Sequence, residues 1–378
     1  MRVLIATPYF LPHIGGVENY VFAIATGLQR RGFEVAILTT WDGFDRVIVE
    51  NMNGLLIHRL PILFKLSNTP VNPFWIVKMK EIIETYNPDL VNAHTPVPFF
   101  ADLAIEAATE LSIPTVVTYH NDVVKENPVL KLVSNLYYSI LGIKTLHAAT
   151  AVIATSSAYA DKSQYLIKHK NKVHIVPPGV DPIAIIASED RYSKPYIIFV
   201  GKLDKTHRHK GLPYLIDAFA LVHLQLPNVR LCVVGNGADI EMYKKKVAYL
   251  NLSSSVEFLT HVRNDQLPAL YAGAVCLCLP SISEAEGFGM VVIEAAQQYT
   301  PSVGSDVGGI PQSILEGVTG LLFEPKNINA LASQLHTLLT NPTLQKNLGN
   351  AAFSRVKEHF LWSKQVDKTE RTFRKLLS

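Results

Sequence analysis

Residues 177–203 read PPGVDPIAIIASEDRYSKPYIIFVGKL. Four prolines fall in the first nineteen positions, mixed with small and polar residues, and no helical or strand pattern survives them. The next five residues, YIIFV (196–200), are a new apolar run ending at Gly201-Lys202. A proline-rich break followed by a restarted strand pattern reads as a linker between two domains. Upstream, the strand-like runs are VLIAT (3–7), FEVAILTT (33–40), GLLIHRL (54–60), PDLVNAH (88–94), PTVVTYH (114–120), TAVIATS (150–156) and KVHIVPPG (172–179). Helical spacing fills the gaps near 17–31, 74–86, 98–111 and 128–147. Downstream, VRLCVVGNG (229–237), VEFLTH (256–261) and AVCLCLPS (274–281) alternate with helical stretches near 211–224, 238–250 and 287–298. Strands alternating with helices require parallel pairing with crossovers. Near-continuous apolar strands require a sheet covered on both faces. The expected fold is therefore α/β: two doubly wound, Rossmann-like domains facing each other across a cleft. The first runs over 1–178, a linker covers 179–195, and the second covers 196–357. Ligands in such sheets bind outside the carboxyl ends of the strands, which makes the cleft the expected active site.

Composition narrows the function classes. The chain has 378 residues, 48% hydrophobic and 18% charged, which excludes disorder as its main state. Thirty-five Lys and Arg against 32 Asp and Glu leave a net charge of +3, with neither half a polycation, so a nucleic-acid partner is not expected. Cys232, Cys276 and Cys278 are too few and too uneven for a disulfide framework, which points to a reducing cytoplasm. Cys276 and Cys278 alternate and fit one face of a buried strand. No apolar run reaches the ~18 residues of a membrane span, and the short apolar run within MRVLIATPYF ends at Pro8 as a first strand would. The Lys125, Lys131 and Lys144 stretch, mixed with Leu, Val, Tyr and Ile, suits either packing on a domain or peripheral contact with an anionic membrane face. No Asp-x-Asp stands at a strand end, so no metal is expected.

Four constellations carry chemistry. Gly15-Gly16-Val17-Glu18 precedes a helix, where a bare backbone and a helix start favour an anion; an ordinary loop reads the same way. His120-Asn121-Asp122 ends an apolar strand, and His120 could bind a hydroxyl, act as acid or base, or be structural. Gly201-Lys202 and the loop DKTHRHKG (204–211) place basic groups, Lys210 among them, at a strand mouth beside a helix start, suited to phosphates or to solvent. The sharpest is Glu286-Gly-Phe-Gly-Met-Val-Val-Ile-Glu294: two carboxylates eight apart bracket a G-F-G turn. If the helix begins near Gly287, Glu294 lies one or two turns into it while Glu286 stands at its entrance. Gly308-Gly309-Ile310-Pro311 and Gly317-Val318-Thr319-Gly320 punctuate loops at the same edge. Gly235-Asn236-Gly237 has Ile240 where a dinucleotide fingerprint needs its third glycine, which argues against nicotinamide chemistry.

In this order, G-G-V-E, T-Y-H, P-P-G-V-D, V-G-K-L…K-G, V-V-G-x-G and E-x7-E, the chain resembles the retaining nucleotide-sugar glycosyltransferases of family 4, with the GT-B fold, over essentially its whole length. The resemblance implies a nucleoside diphosphate sugar as co-substrate, no other cofactor, and an acceptor glycan or lipid-linked saccharide. It implies that Glu286 holds the reacting sugar and Glu294 the ribose hydroxyls. Lys202 and Lys210 would neutralise the diphosphate. The Gly287-Phe288-Gly289-Met290-Val291 turn would give backbone contacts to the sugar, and Gly15 and Gly16 would approach the phosphate. His120 would touch the sugar near its 6-hydroxyl, and Thr260 and His261 would border the base. Glu18, Asn121 and Asp122 are expected on the acceptor side. The last helix, about 358–378, would cross back onto the first domain. Two departures stand out: the family usually has Arg where this chain has Lys202, and often Glu where it has Gln312. A nucleotide-sugar 2-epimerase on the same fold and a non-catalytic sugar-nucleotide-binding subunit are the competing readings.

Overall fold

The computed structural model describes residues 1–13, 15–43, 46–66, 69–121, 128–186 and 194–378. The chain divides into two compact units, Met1–Pro178 with Trp362–Ser378, and Gly179–Leu361.

Unit 1 is built on an eight-stranded sheet of β1 (Arg2–Ala6), β2 (Glu34–Trp41), β3 (Ile48–Met52), β4 (Leu55–Pro61), β7 (Leu90–His94), β8 (Thr115–Tyr119), β9 (Ala151–Ala154) and β10 (Val173–Ile175). A small hairpin, β5 (Phe64–Leu66) with β6 (Thr69–Val71), stands apart. The sheet order is β10-β9-β8-β7-β1-β2-β4-β3, parallel throughout except for β3 on β4. β1 shows why its strands are apolar at every position: Val3 and Ile5 enter one core, Leu4 and Ala6 the other.

Sequence reading missed β3. The signal was present in Asn53-Gly54, both at positive φ (52° and 86°), the residue pair a two-residue hairpin turn demands. The stretch expected as one helix over 128–147 is instead Pro128–Tyr137, a wide π turn at Tyr138–Gly142, and Ile143–Ala148. Tyr137 and Thr145, either side of that turn, both donate to the buried Asp102 carboxylate, Thr145 Oγ1 at 2.5 Å. Helical periodicity cannot register a wide turn held by a tertiary contact. The last helix, Trp362–Leu377, lies on Gly16–Gln29. Val366 and Phe373 are buried there, and Arg31 bridges Asp367 at 2.6 Å and Glu370 at 2.8 Å.

Unit 2 is a six-stranded, all-parallel sheet of β11 (Tyr196–Val200), β12 (Arg230–Val234), β13 (Val256–Leu259), β14 (Cys276–Leu279), β15 (Ser302–Ser305) and β16 (Gly320–Phe323). Its order is β13-β12-β11-β14-β15-β16. Cys276 and Cys278 face one core and Leu277 and Leu279 the other; the thiols are free, and burial raises both, Cys276 to about 12. Part of the expected linker belongs to this unit. Val180 N–H donates to the Phe360 carbonyl at 2.8 Å, and Ile183 and Ile186 N–H donate to the Gln297 and Gln298 side chains. Proline content marked the break in the pattern but not where the chain is held. Among the described residues no helix is long and apolar enough to cross a membrane.

Candidate active site

Doubly wound sheets place their ligand crevice where the strand order reverses. In unit 2 the reversal lies between β11 and β14, whose outgoing loops carry Lys202–Gly211 and Pro280–Gly289. Lys205–Lys210 forms a 3₁₀ turn capped by Asp204, which accepts from Thr206 and His207 N–H. Gly211 ends it at φ +74°, and a Cβ there would lie 1.9 Å from the Pro280 carbonyl oxygen. This close approach, with Ile282 N–H donating to the His209 carbonyl at 2.8 Å, joins the two loops. Replacing Gly211 by Ala is therefore expected to destabilise the protein by about 2 kcal/mol or more, read by urea unfolding. A loss within about 0.5 kcal/mol would refute the close approach.

The junction brings Lys210 to Glu286. Lys210 Nζ donates to Glu286 Oε2 at 2.9 Å and Ser281 Oγ donates to the same oxygen at 3.2 Å, while Oε1 has no partner among the described residues. Glu286 is only 7% exposed. Burial by itself would raise its carboxyl; the Lys210 ammonium and hydrogen bond, His209 and Ser281 outweigh burial and hold it below its ordinary value. The Gly308-Gly309 pair clamps the same backbone. Gly309 N–H donates to the Glu286 carbonyl at 2.9 Å, and a Cβ on Gly308 (φ +59°) would lie 2.2 Å from that oxygen.

The helix expected near 287–298 is the shorter Met290–Ala296, entered through Gly289 in the left-handed conformation. The G-F-G turn stays outside it, so Glu286 lies in the loop and Glu294 one turn in. Tyr271 OH donates to Glu294 Oε2 at 3.1 Å, Oε1 has no partner among the described residues, and burial raises this carboxyl. The Phe288 side chain is buried on Phe360, ring centroids 5.4 Å apart. Met290 and Val291 are half-buried at the helix start. Lys202 is exposed after β11, and Thr260 and His261 follow the edge strand β13. The basic loop is less available than its sequence suggests: Arg208 is held by both oxygens of Asp239 at 2.6 and 2.8 Å, and His207 by Asp204 at 2.8 Å.

In unit 1 the order reverses between β1 and β7. His120, just after β8, is buried against His94 at the end of β7: His94 Nδ1 and His120 Nε2 are 3.0 Å apart. Burial lowers His120 to about 3, and burial with His120 lowers His94 well below its ordinary value. Of the roles left open for His120, burial favours the neutral hydrogen-bonding group near pH 7 over proton exchange. A depressed folded value makes these histidines a source of stability that is complete above ~6.5, the unfolded value, and is lost as pH falls toward about 3. Unfolding free energy is expected to drop by about 2 kcal/mol for His120 between pH 6.5 and 5, where carboxylates contribute little. Urea unfolding at both pH values checks this, and a flat profile would contradict it.

Gly15 caps the helix Gly16–Gln29, and a Cβ on Gly16 would meet nothing within 4 Å, so that face of the turn is open. Glu18 is turned inward instead, 7% exposed and 2.9 Å from His13 Nδ1. Asn121 is half-buried, and Asp122 lies outside the described residues. Near the carboxyl ends of β1, β2 and β4 a cavity of about 620 Å³ is lined by Tyr9, Trp41, Asp42, Glu50, Arg59 and Lys65 among others. Sequence reading missed Ser281, Tyr271, Asn92 and His94, and offered His209 only as one basic group of the loop. Ser281 stood at a strand's carboxyl end, a usable signal; Tyr271, inside a short helix, gave none.

The profile of Glycosyltransferase Family 4 matches residues 14–183, and that of Glycosyl transferases group 1 matches 181–355. The chain belongs to glycosyltransferase family 4. Among curated members, it is 27% identical to D-rhamnosyltransferase WbpZ of Pseudomonas aeruginosa, over 95% of this chain and 92% of that one. It is 25% identical to O-antigen chain mannosyltransferase C of Escherichia coli, over 97% and 96%. Among solved structures, sucrose-phosphate synthase from Thermosynechococcus elongatus matches with a TM-score of 0.79 at 23% identity, covering 99% of this chain and 98% of that one. Anabaena HepE in complex with UDP matches at 0.77 and 19%, covering 99% and 100%. This family 4 glycosyltransferase thus has the GT-B fold and acts on sugar donors.

Proposed function

We propose that the enzyme moves a hexose-type sugar from a nucleoside diphosphate sugar to an acceptor hydroxyl, with retention at the anomeric carbon. The observation that carries this is the split use of Glu286: one oxygen is pinned by Lys210 and Ser281, the other is open at the switch point. A carboxylate so fixed suits a sugar hydroxyl. Lys210 spends one N–H on Glu286 and keeps two for a diphosphate oxygen; Lys202 has no partner among the described residues and adds a second charge. Both would stabilise the leaving diphosphate as the bond from the anomeric carbon to phosphate breaks. The acceptor oxygen attacks the same face and its proton passes to the departing phosphate oxygen. A covalent Glu286 adduct is the less favoured route. Glu294 takes ribose hydroxyls through Oε1, Thr260 and His261 border the base, and the 287–291 backbone meets the sugar. Gly15 and Gly16 approach the phosphate. HepE structures with UDP and UDP-glucose support a nucleotide-sugar donor.

The acceptor reading rests on unit 1. Tyr9 and Trp41 in the cavity offer aromatic faces, and Asp42 and Glu50 offer hydroxyl acceptors, a lining that suits a saccharide. The names of the rhamnosyl- and O-antigen mannosyltransferase relatives support a surface-glycan or lipid-linked intermediate. Leu132, Leu136 and Ile140 are exposed at four-residue spacing, which supports peripheral membrane contact from the cytoplasmic side. Of the lysines first assigned to this face, Lys125 lies outside the described residues, and Lys144 pairs with Glu106. We expect transfer without a metal.

The test is a thermal-shift screen against UDP-, GDP- and ADP-sugars, with Mg²⁺ and with EDTA, followed by NMR of the anomeric configuration of any product. A donor at about 100 times Kd should stabilise by roughly 2.7 kcal/mol. Inverted product would overturn retention, donor isomerisation would favour the epimerase, and binding without turnover would favour the non-catalytic subunit.

A further inference from the structure

We propose that Asn92 and His94 are positioning residues that fix the tautomer of His120, so that His120 presents Nδ1 as a hydrogen-bond acceptor for a ligand hydroxyl. The chain of reasoning starts at a backbone carbonyl, which can only accept. Asn92 Nδ2 lies 3.1 Å from the Val116 carbonyl oxygen and 2.9 Å from Thr118 Oγ1, which fixes the amide orientation. Asn92 Oδ1 therefore faces His94 Nε2 at 3.0 Å, and that nitrogen carries the proton. A neutral imidazole has one N–H, so His94 Nδ1 is a lone pair. It accepts from His120 Nε2–H at 3.0 Å. His120 Nδ1 is then the unprotonated nitrogen, and it has no partner among the described residues.

The surroundings hold this arrangement still. Asn92 and His94 are at most 1% exposed. The two imidazole centroids lie 5.2 Å apart with the ring planes at 28° to each other. Tyr20 meets the His120 ring edge-on at 5.0 Å and 88°, with its own hydroxyl donating to the Val176 carbonyl at 3.1 Å. Thr155 Oγ1 donates to the His120 carbonyl at 3.2 Å. Burial keeps both rings uncharged near pH 7.

The consequence is chemical selection. A lone pair on a neutral ring welcomes a hydroxyl and repels a phosphate oxygen, which has no proton to give. In a glycosyltransferase, a reading on which this step rests, the matching group is a hydroxyl of the sugar, not the diphosphate. His120 would thus read a sugar hydroxyl and not the charge of the diphosphate.

The first test uses ligand-free protein labelled with ¹⁵N-histidine. Two-bond ¹H–¹⁵N correlation spectra, assigned with H120N and H94F, read each tautomer directly. The expected result is Nε2–H for both His94 and His120, unchanged from pH 5.5 to 8. Nδ1–H or imidazolium at His120 would overturn the proposal. The second test compares His94→Phe, which keeps the ring but removes the acceptor, with His94→Asn, whose Oδ1 occupies the Nδ1 position. H94F should lower kcat/KM for the nucleotide sugar that turns over by about thirtyfold. Its affinity for the free nucleoside diphosphate should stay within about twofold, since only the sugar contact is altered. H94N should recover most of the loss. Equal loss in both variants, or weakened binding of the free nucleotide, would reduce His94 to a packing role and overturn the proposal. If no nucleotide sugar turns over on wild-type protein, the functional reading fails, while the spectra still decide the tautomer.

Discussion

Glu286→Gln is expected to lower turnover by about 10²- to 10³-fold with the fold intact. Gln is isosteric and its Oε1 can still accept from Lys210 Nζ and Ser281 Oγ, which now hold Oε2 at 2.9 and 3.2 Å. The loop clamped by Gly308 and Gly309 should therefore stay in place. What disappears is the negative charge, and with it a strong acceptor for the sugar hydroxyl at the open oxygen. Charged hydrogen bonds are roughly twice as strong as neutral ones, and the nearly buried site amplifies the difference. Most of the loss should fall on kcat, because the contact matters most as charge develops on the reacting sugar. Steady-state kinetics with the identified donor checks this. Turnover within threefold of wild type would remove Glu286 from the reacting centre.

The second large effect is on stability, and its sign depends on pH. Lys210→Met removes the ammonium and leaves Glu286 buried without its counter-charge. Breaking such a pair costs about 3 kcal/mol or more near pH 7, reduced here because the Lys210 side chain is 18% exposed. Wild-type Glu286 is held below its ordinary value, so its contribution is complete above about pH 4.5 and is lost as pH falls below that. In the variant burial dominates and the carboxyl rises. The unfolded state then releases its proton more readily than the folded state, and the variant weakens as pH climbs above about 4.5. The gap between the two proteins should be widest near pH 7 and narrow toward pH 4. Urea titrations at both values read this. The double variant Lys210→Met with Glu286→Leu should regain much of the stability and none of the activity, which separates folding from chemistry. A gap independent of pH would show that the pair is not the origin of the loss.

Local readings succeeded where one residue's neighbours in sequence are also its neighbours in space. The strand runs, the break after Pro177 and the Gly-flanked loops follow from apolar periodicity and from residues that disallow regular structure. Eleven strand runs named from sequence each contain a strand, whereas β3, β5, β6, β15 and β16 went unread, β3 although Asn53-Gly54 announced its turn. Glu286, Lys210 and Glu294 stood out because glycines and charge at strand ends are rare outside binding loops. Their partners did not. Ser281, Tyr271 and His94 are ordinary polar or aromatic residues whose roles arise only where β11 meets β14 and β7 meets β8. His120 is the instructive residue: sequence marked it, but its protonation state and the nitrogen it presents follow from Asn92, twenty-eight positions earlier. The basic loop DKTHRHKG teaches the converse, because Asp204 and Asp239 hold two of the side chains that sequence offered to a phosphate.

The sequence by itself determined the alternation of elements, the two-domain plan and the family, since these are written in periodicity, in breaks and in ordered motifs. Tertiary structure alone decided which charges are paired, which carboxylate oxygen is open and which imidazole nitrogen carries a proton. Those depend on burial and on contacts between strands far apart in the chain, and electrostatic free energy changes steeply with both.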